Sequence, residues 1–163
     1  MSWPRTIVDP GSVRRRVAGR CFVCELLAGA PEFAHHVFYE DERTVAFLNA
    51  YPTLYGYSLV APKQHVTEVT ADFDLEQYLA LQRVVYRVAE AIRALVPAER
   101  IYILSLGSAQ RNAHVHWHVA PLPPGIPFEQ QQFAALDWTH GFLDIPQAEL
   151  GTLASRLRTS LRG

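Results

Sequence analysis

The chain has 163 residues, 49% of them hydrophobic and 19% charged, with a formal net charge of -1, the proportions of one soluble domain with a substantial core. That charge leaves no electrostatic footprint for nucleic acid or an anionic membrane, so any phosphate must be held by a local site. No apolar run approaches the roughly 20 residues that span a bilayer, and Met1-Ser2-Trp3-Pro4-Arg5 lacks the apolar core of a signal peptide, so the cytoplasm is the expected location.

Residues 1–20 carry Arg14, Arg15, Arg16 and Arg20 among Pro4, Pro10 and Gly11, and read as an irregular surface arm whose basic cluster is a solvated face. Residues 21–28 form a short helical turn stopped by Gly29 and Pro31, with Cys21 and Cys24 at its entrance. A reducing compartment disfavours a structural disulfide between them and leaves metal binding or redox chemistry. Strands are expected over 37–40, 44–48 and 57–62, linked by Asp41-Glu42 and by a loop with Pro52 and Gly56. So few residues leave no room for crossover helices, so the three form an antiparallel meander.

Asp72 or Asp74 caps a long helix whose apolar positions Leu75, Leu79, Val85, Ala89, Ile92 and Leu95 recur at helical spacing until Pro97. It covers one face of the sheet. A strand over 100–106 and a loop over 107–112 lead into a last strand, 114–120, antiparallel to its predecessor and stopped by Pro121. Asp144, Pro146 and Gln147 resemble a helix start, and Leu150, Leu153, Leu157 and Leu161 give a terminal amphipathic helix.

The last strand reads His114-Val115-His116-Trp117-His118-Val119-Ala120. Alternation puts the three histidines on one face and Val115, Trp117 and Val119 in a core. A merely solvated strand would draw on Thr, Lys, Glu and Arg instead of three imidazoles. A neutral imidazole can attack phosphorus directly, and its neighbours can stabilise developing charge. The pattern fits phosphoryl or nucleotidyl transfer. Alternatively, the three could hold a catalytic zinc, or the domain could bind nucleotides with little catalysis.

Two thiolates at Cys21 and Cys24 need two further ligands to close a zinc site, for which His65 and His114 are the best candidates and His35, His36 and His140 the alternatives. His35 and His36 are adjacent and should occupy opposite faces. Phe22, Phe38, Phe47, Leu48 and Tyr51 could wall a base pocket or simply fill a core. Asn49, ending an apolar strand, either caps the turn or hydrogen-bonds ribose hydroxyls.

From Cys21 to about Pro121 the chain resembles the histidine triad (HIT) family, whose signature of three histidines separated by apolar residues stands at 114–120. The same order of blocks includes Cys21-Phe22-Val23-Cys24, Tyr39-Glu40-Asp41-Glu42, Val45-Ala46-Phe47-Leu48-Asn49 and the run from Gly56 to Pro62-Lys63-Gln64-His65. The resemblance implies an α+β fold with an antiparallel sheet of about five strands and a long helix, in a homodimer, to which the C-terminal helix read from leucine periodicity is added outside the match. It implies a hydrolase or transferase acting at the α-phosphate of a nucleotide conjugate through a nucleotidyl-histidine. By position His116 is the nucleophile, His114 and His118 orient, Asn49 holds the ribose, and Cys21, Cys24, His65 and His114 hold a structural zinc. The family unit would run over 21–125, after the arm of 1–20, with 126–163 a C-terminal extension packed on it.

The chain also departs from the family. Relatives often read Gly-His-Thr-Leu-Val where Gly56-Tyr57-Ser58-Leu59-Val60 stands, so one outer histidine is absent. Ahead of the triad, Ala109-Gln110-Arg111-Asn112 keeps Gln110 but puts Arg111 in place of a hydroxyl that would touch phosphate, and Leu122 replaces a frequent Arg. Gln110, Arg111 and Asn112 remain candidate nucleotide contacts, beside Phe22, Phe47, Leu48 and Asn49. The substrate, whether a dinucleoside polyphosphate, a phosphoramidate or an adenylated small molecule, is left open.

Overall fold

In a computed structural model, which describes residues 3–7, 9, 11–12, 19–107 and 112–162, five strands form one antiparallel sheet. They are β2 (Val37–Glu40), β3 (Thr44–Leu48), β4 (Ser58–Pro62), β5 (Arg100–Leu104) and β6 (Trp117–Leu122), in spatial order β2-β3-β4-β6-β5. The meander of β2 to β4 and the antiparallel pairing of β5 with β6 follow the sequence expectations. The sheet closes where β6 pairs with β4, Leu59 opposite His118 and Val60 opposite Trp117.

Helix α2 (Leu75–Leu95) begins at Asp74, which accepts the backbone N–H of Gln77 while the Gln77 side chain accepts the N–H of Asp74. This reciprocal cap settles the choice between the two aspartates. Asp72 instead accepts the N–H groups of Thr67 and Glu68 in the preceding loop. Leu75 and Leu79 do not join the core, being 68% and 40% exposed. At about 1.5 Å per residue a helix of this length outreaches five-residue strands, so its first turns overhang the sheet. Leu81, Val84, Val85, Val88, Ala89 and Ile92 pack on the sheet instead. The C-terminal helix α4 (Gln147–Arg162) lies beside them, burying Leu150, Leu153, Leu157 and Leu161 in the same core.

The opposite face of the sheet is covered by α1 (Phe22–Leu27), a turn over Pro31–Phe33, and α3 (Gln131–Leu136), around Phe22, Phe33, Phe47, Tyr57, Leu59, Ala120 and Leu122. A ribbon of β1 (Arg5–Thr6) and β7 (Phe142–Leu143) ties the arm down, with the Arg5 guanidinium donating to Gly141 O and Thr53 O. The arm is therefore less irregular than expected, while Arg14, Arg15 and Arg16 lie outside the described residues. Among the described residues no helix is long and apolar enough to cross a membrane.

The histidine segment differs from expectation. Residues 114–116 precede the strand, which begins at Trp117 and runs through Pro121 to Leu122. Pairing with β4 ends at Val119, so Pro121 sits where β6 has no neighbour on that side for an N–H to reach. Likewise β5 stops at Leu104 and β4 starts at Ser58.

Candidate functional site

The alternation expected of residues 114–119 holds even outside the strand. Val115, Trp117 and Val119 pack in the core beneath α2, which turns His114, His116 and His118 to the face covered by α1. His114 and His116 are almost wholly buried, at 1% and 2% exposure. Backbone bonds hold the approach to the strand, Val115 N–H donating to Val66 O and the Ser105 hydroxyl to His116 O.

Their proton positions follow from their partners. His116 Nδ1 lies 2.7 Å from His114 O. A carbonyl only accepts, so Nδ1 carries the hydrogen and Nε2 bears the lone pair. His114 Nε2 lies 2.8 Å from Pro62 O, so its proton is on Nε2 and Nδ1 is bare. That bare nitrogen faces Cys21 Sγ at 3.3 Å and Cys24 Sγ at 3.8 Å, while His65 Nδ1 lies 3.4 Å from Cys24 Sγ.

All four ligand atoms fall within 4.8 Å of one another. Tetrahedral zinc with S and N ligands requires S to N edges of roughly 3.3–3.8 Å, which these three Sγ to Nδ1 distances meet. A ring that donates its other N–H to a carbonyl is the usual form of a metal-bound histidine. Cys21 caps α1, accepting the Cys24 N–H at 3.4 Å. Burial works against its thiolate, but hydrogen bonding to His114 and to that N–H outweighs it and brings its pKa down to about 6. Burial and the neighbouring Cys21 push Cys24 up to about 11. A dication between them would hold both as thiolates.

The other candidate ligands are elsewhere. His35 Nδ1 donates to Phe33 O, His36 meets Gln147 on the far side of the sheet, and His140 pairs with Asp137. His35 and His36 do face opposite ways. The three triad histidines do not share one ion, because both nitrogens of His114 are committed away from His116 and His118.

Around His116 the Phe22 ring stands edge-on at 5.2 Å, and Phe47 lies 6.2 Å from Phe22. Leu48 and Phe38, proposed beside them, belong to the core under the helices. Phe47 and Leu48 are consecutive in β3 and so point to opposite faces; Leu48 is therefore removed from the histidine side. The Tyr51 ring lies tilted against Phe142 instead, at 5.4 Å and 54°. Asn49 is a turn cap, its Oδ1 accepting from Tyr51 N at 3.0 Å. Asn112 closes the loop by donating its N–H to Gly107 O, and its Oδ1 is buried without a partner among the described residues. Gln110 and Arg111 lie outside the described residues.

Two contacts were not anticipated. A Cβ on Gly107 would stand 2.4 Å from Asn112 O and 3.1 Å from His116 Cε1, so only glycine lets this loop close over the ring. Gly107→Ala is expected to cost about 1–3 kcal/mol of stability, as overpacking does, measurable by urea unfolding. The second contact is Tyr57, whose hydroxyl lies 3.0 Å from His118 Nδ1. Period-two spacing with Leu59 and Ala61 was the available signal that Tyr57 faces the histidines.

Burial lowers the pKa of His116, and burial together with the charge of His116 takes His118 down to about 4, the Leu106 carbonyl opposing weakly. Both rings are neutral at neutral pH. The unfolded chain takes up protons near pH 6.5 that the folded chain refuses. Stability is therefore full above that pH and declines as pH falls toward about 4. Urea midpoints across this window should show the decline, flattened in His118→Gln; equal slopes would refute the assignment.

Among known proteins, the HIT domain family profile matches residues 30–124. An uncharacterized HIT-like protein of Mycobacterium tuberculosis is 35% identical over 105 residues, 62% of this chain and 70% of that one. A hypothetical histidine triad nucleotide-binding protein from Sulfolobus tokodaii superposes with a TM-score of 0.68 at 25% identity, over 87% of this chain and 92% of that one. A Zn-bound histidine triad family protein from Mycobacterium smegmatis gives 0.66 at 26% identity, over 89% and 95%.

Proposed function

Since the chain belongs to the HIT domain family, we propose that it is a nucleotidyl hydrolase or transferase in which His116 attacks the α-phosphorus of a nucleotide conjugate. The carrying observation is the 2.7 Å bond from His116 Nδ1 to His114 O, which leaves Nε2 as a lone-pair nitrogen in a neutral ring. Its lone pair forms a P–N bond as the bond to the leaving group breaks. Water, or another acceptor, then replaces His116 on phosphorus.

In this reading Phe22 and Phe47 contact the base, Asn49 contacts the ribose as well as capping its turn through Oδ1, and Gln110, Arg111 and Asn112 contact the phosphates. His114 serves structure, joining Cys21, Cys24 and His65 around a zinc ion that stabilises the fold and performs no step of the reaction. The similar histidine triad family protein from Mycobacterium smegmatis is Zn-bound, which supports that donor set. The unit over 21–125 acts as a homodimer in the cytoplasm, with 126–163 appended to it.

The test is a panel of dinucleoside polyphosphates, nucleoside phosphoramidates and acyl adenylates, followed by mass spectrometry for product and, after rapid quench, for protein-bound nucleotide. The expected result is a nucleotide adduct on the peptide containing His116. Turnover with no adduct at any quench time would refute covalent transfer, and binding without turnover would make the domain a nucleotide-binding module.

A further inference from the structure

Tyr57 is held from three sides. Its N–H donates to Leu54 O at 3.2 Å, its carbonyl accepts the N–H of Asn49 at 2.9 Å, and its ring stands edge-on to His118 at 5.8 Å and 87°. The side chain is 7% exposed and its hydroxyl has one hydrogen-bond partner among the described residues, His118 Nδ1.

A phenol has one proton to place. If Nδ1 carried a hydrogen and donated to the phenol oxygen, the phenol proton would be buried with no acceptor, whereas with the hydroxyl donating to Nδ1 the ring's own hydrogen still has the Leu106 carbonyl that acts on His118. The hydroxyl therefore donates, Nδ1 accepts, and neutral His118 keeps its own proton on Nε2. That nitrogen is buried with no partner at full hydrogen-bond geometry among the described residues, although the Leu106 carbonyl acts on the ring, and the ring centroids of His118 and His116 lie 4.8 Å apart.

We infer that Tyr57 is a positioning residue that holds His118 in the Nε2–H form, so that this N–H donates a hydrogen bond to a phosphate oxygen while His116 attacks. Placement of the donor rests on the nucleotidyl-transfer reading; the tautomer does not. With a phosphate or carboxylate leaving group, which departs as its own anion, His118 gives a hydrogen bond and keeps its proton. Burial holds the phenol up to about 12, so it stays a neutral donor where a histidine at this position would change charge. A donor fixed before the reaction stabilises developing charge without reorganisation.

Nitrogen NMR of the ligand-free, zinc-loaded protein should find His118 bare at Nδ1 and protonated at Nε2, and a mixture of tautomers in Tyr57→Phe. With the best substrate, Tyr57→Phe should lower kcat about tenfold and leave KM within about twofold, the scale of one lost hydrogen bond. In a His118→Gln background the same change should have no further effect on kcat, because Tyr57 acts through His118. A protonated Nδ1 in the parent protein overturns the inference, as does an equal loss from Tyr57→Phe with and without His118. If no nucleotide conjugate is turned over by the parent protein, the functional reading fails, and the NMR result alone decides the tautomer.

Discussion

His116→Ala is expected to lower kcat/KM by at least about a thousandfold, the scale on which removing a nucleophile acts. The loss belongs to the chemical step, because no neighbouring group can take over the attack. His114 has both nitrogens engaged, one by Pro62 O and one toward the cysteines. His118 receives the Tyr57 hydroxyl on Nδ1, which leaves it a donor at Nε2. The variant also leaves His114 O without its hydrogen, a cost of about 1–3 kcal/mol. That lowers the melting temperature by several degrees and leaves the fold in place. Circular dichroism and zinc content should therefore match the parent protein. Retention of more than about a tenth of the activity, with an adduct on another residue, would move the nucleophile elsewhere.

Stripping the metal should affect stability before chemistry. At free zinc about a thousand times its dissociation constant, binding to the native state alone contributes about 4 kcal/mol. For a domain of this size that corresponds to a fall of about 8–16 °C in melting temperature on adding a chelator, reversed by added zinc. Cys24→Ser should reproduce the fall and lose the response to chelator. The effect reaches His116 by a short route. A metal at Cys21, Cys24, His65 and His114 anchors His114 through Nδ1, and the His114 carbonyl anchors the nucleophile through its Nδ1–H. Below the lowered melting point, chelated protein should keep most of its kcat. Complete loss of turnover in protein that remains folded would instead place the metal in the chemistry.

Much of this could be read before the fold was known because it depends on near neighbours. Alternation at 114–119 sorts histidines from Val115, Trp117 and Val119 by backbone geometry alone, and it survives although the strand starts only at Trp117. The cap at Asp74 needs only the residue three positions on. The same reasoning, applied to β3, already contradicts grouping Leu48 with Phe47. Residue types left several histidines open as partners of the two cysteines, and the family resemblance singled out His65 and His114; Cys24 and His65 lie 41 positions apart and Cys21 and His114 lie 93 apart, so only packing brings them together.

The sequence by itself determined the types of the five sheet strands and of α1, α2 and α4, the face each triad histidine takes and the donor chemistry available for a metal. These are set by dihedral sterics and by residues within a turn of one another. Tertiary structure decided which residues meet across the sheet. It seated Tyr57 against His118, 61 positions away, and laid Pro62 O on His114 and His114 O on His116. Those contacts place each proton, because the tautomer of a buried imidazole follows the partner in reach, and that partner is chosen by the pairing of β4 with β6 and the core beneath it.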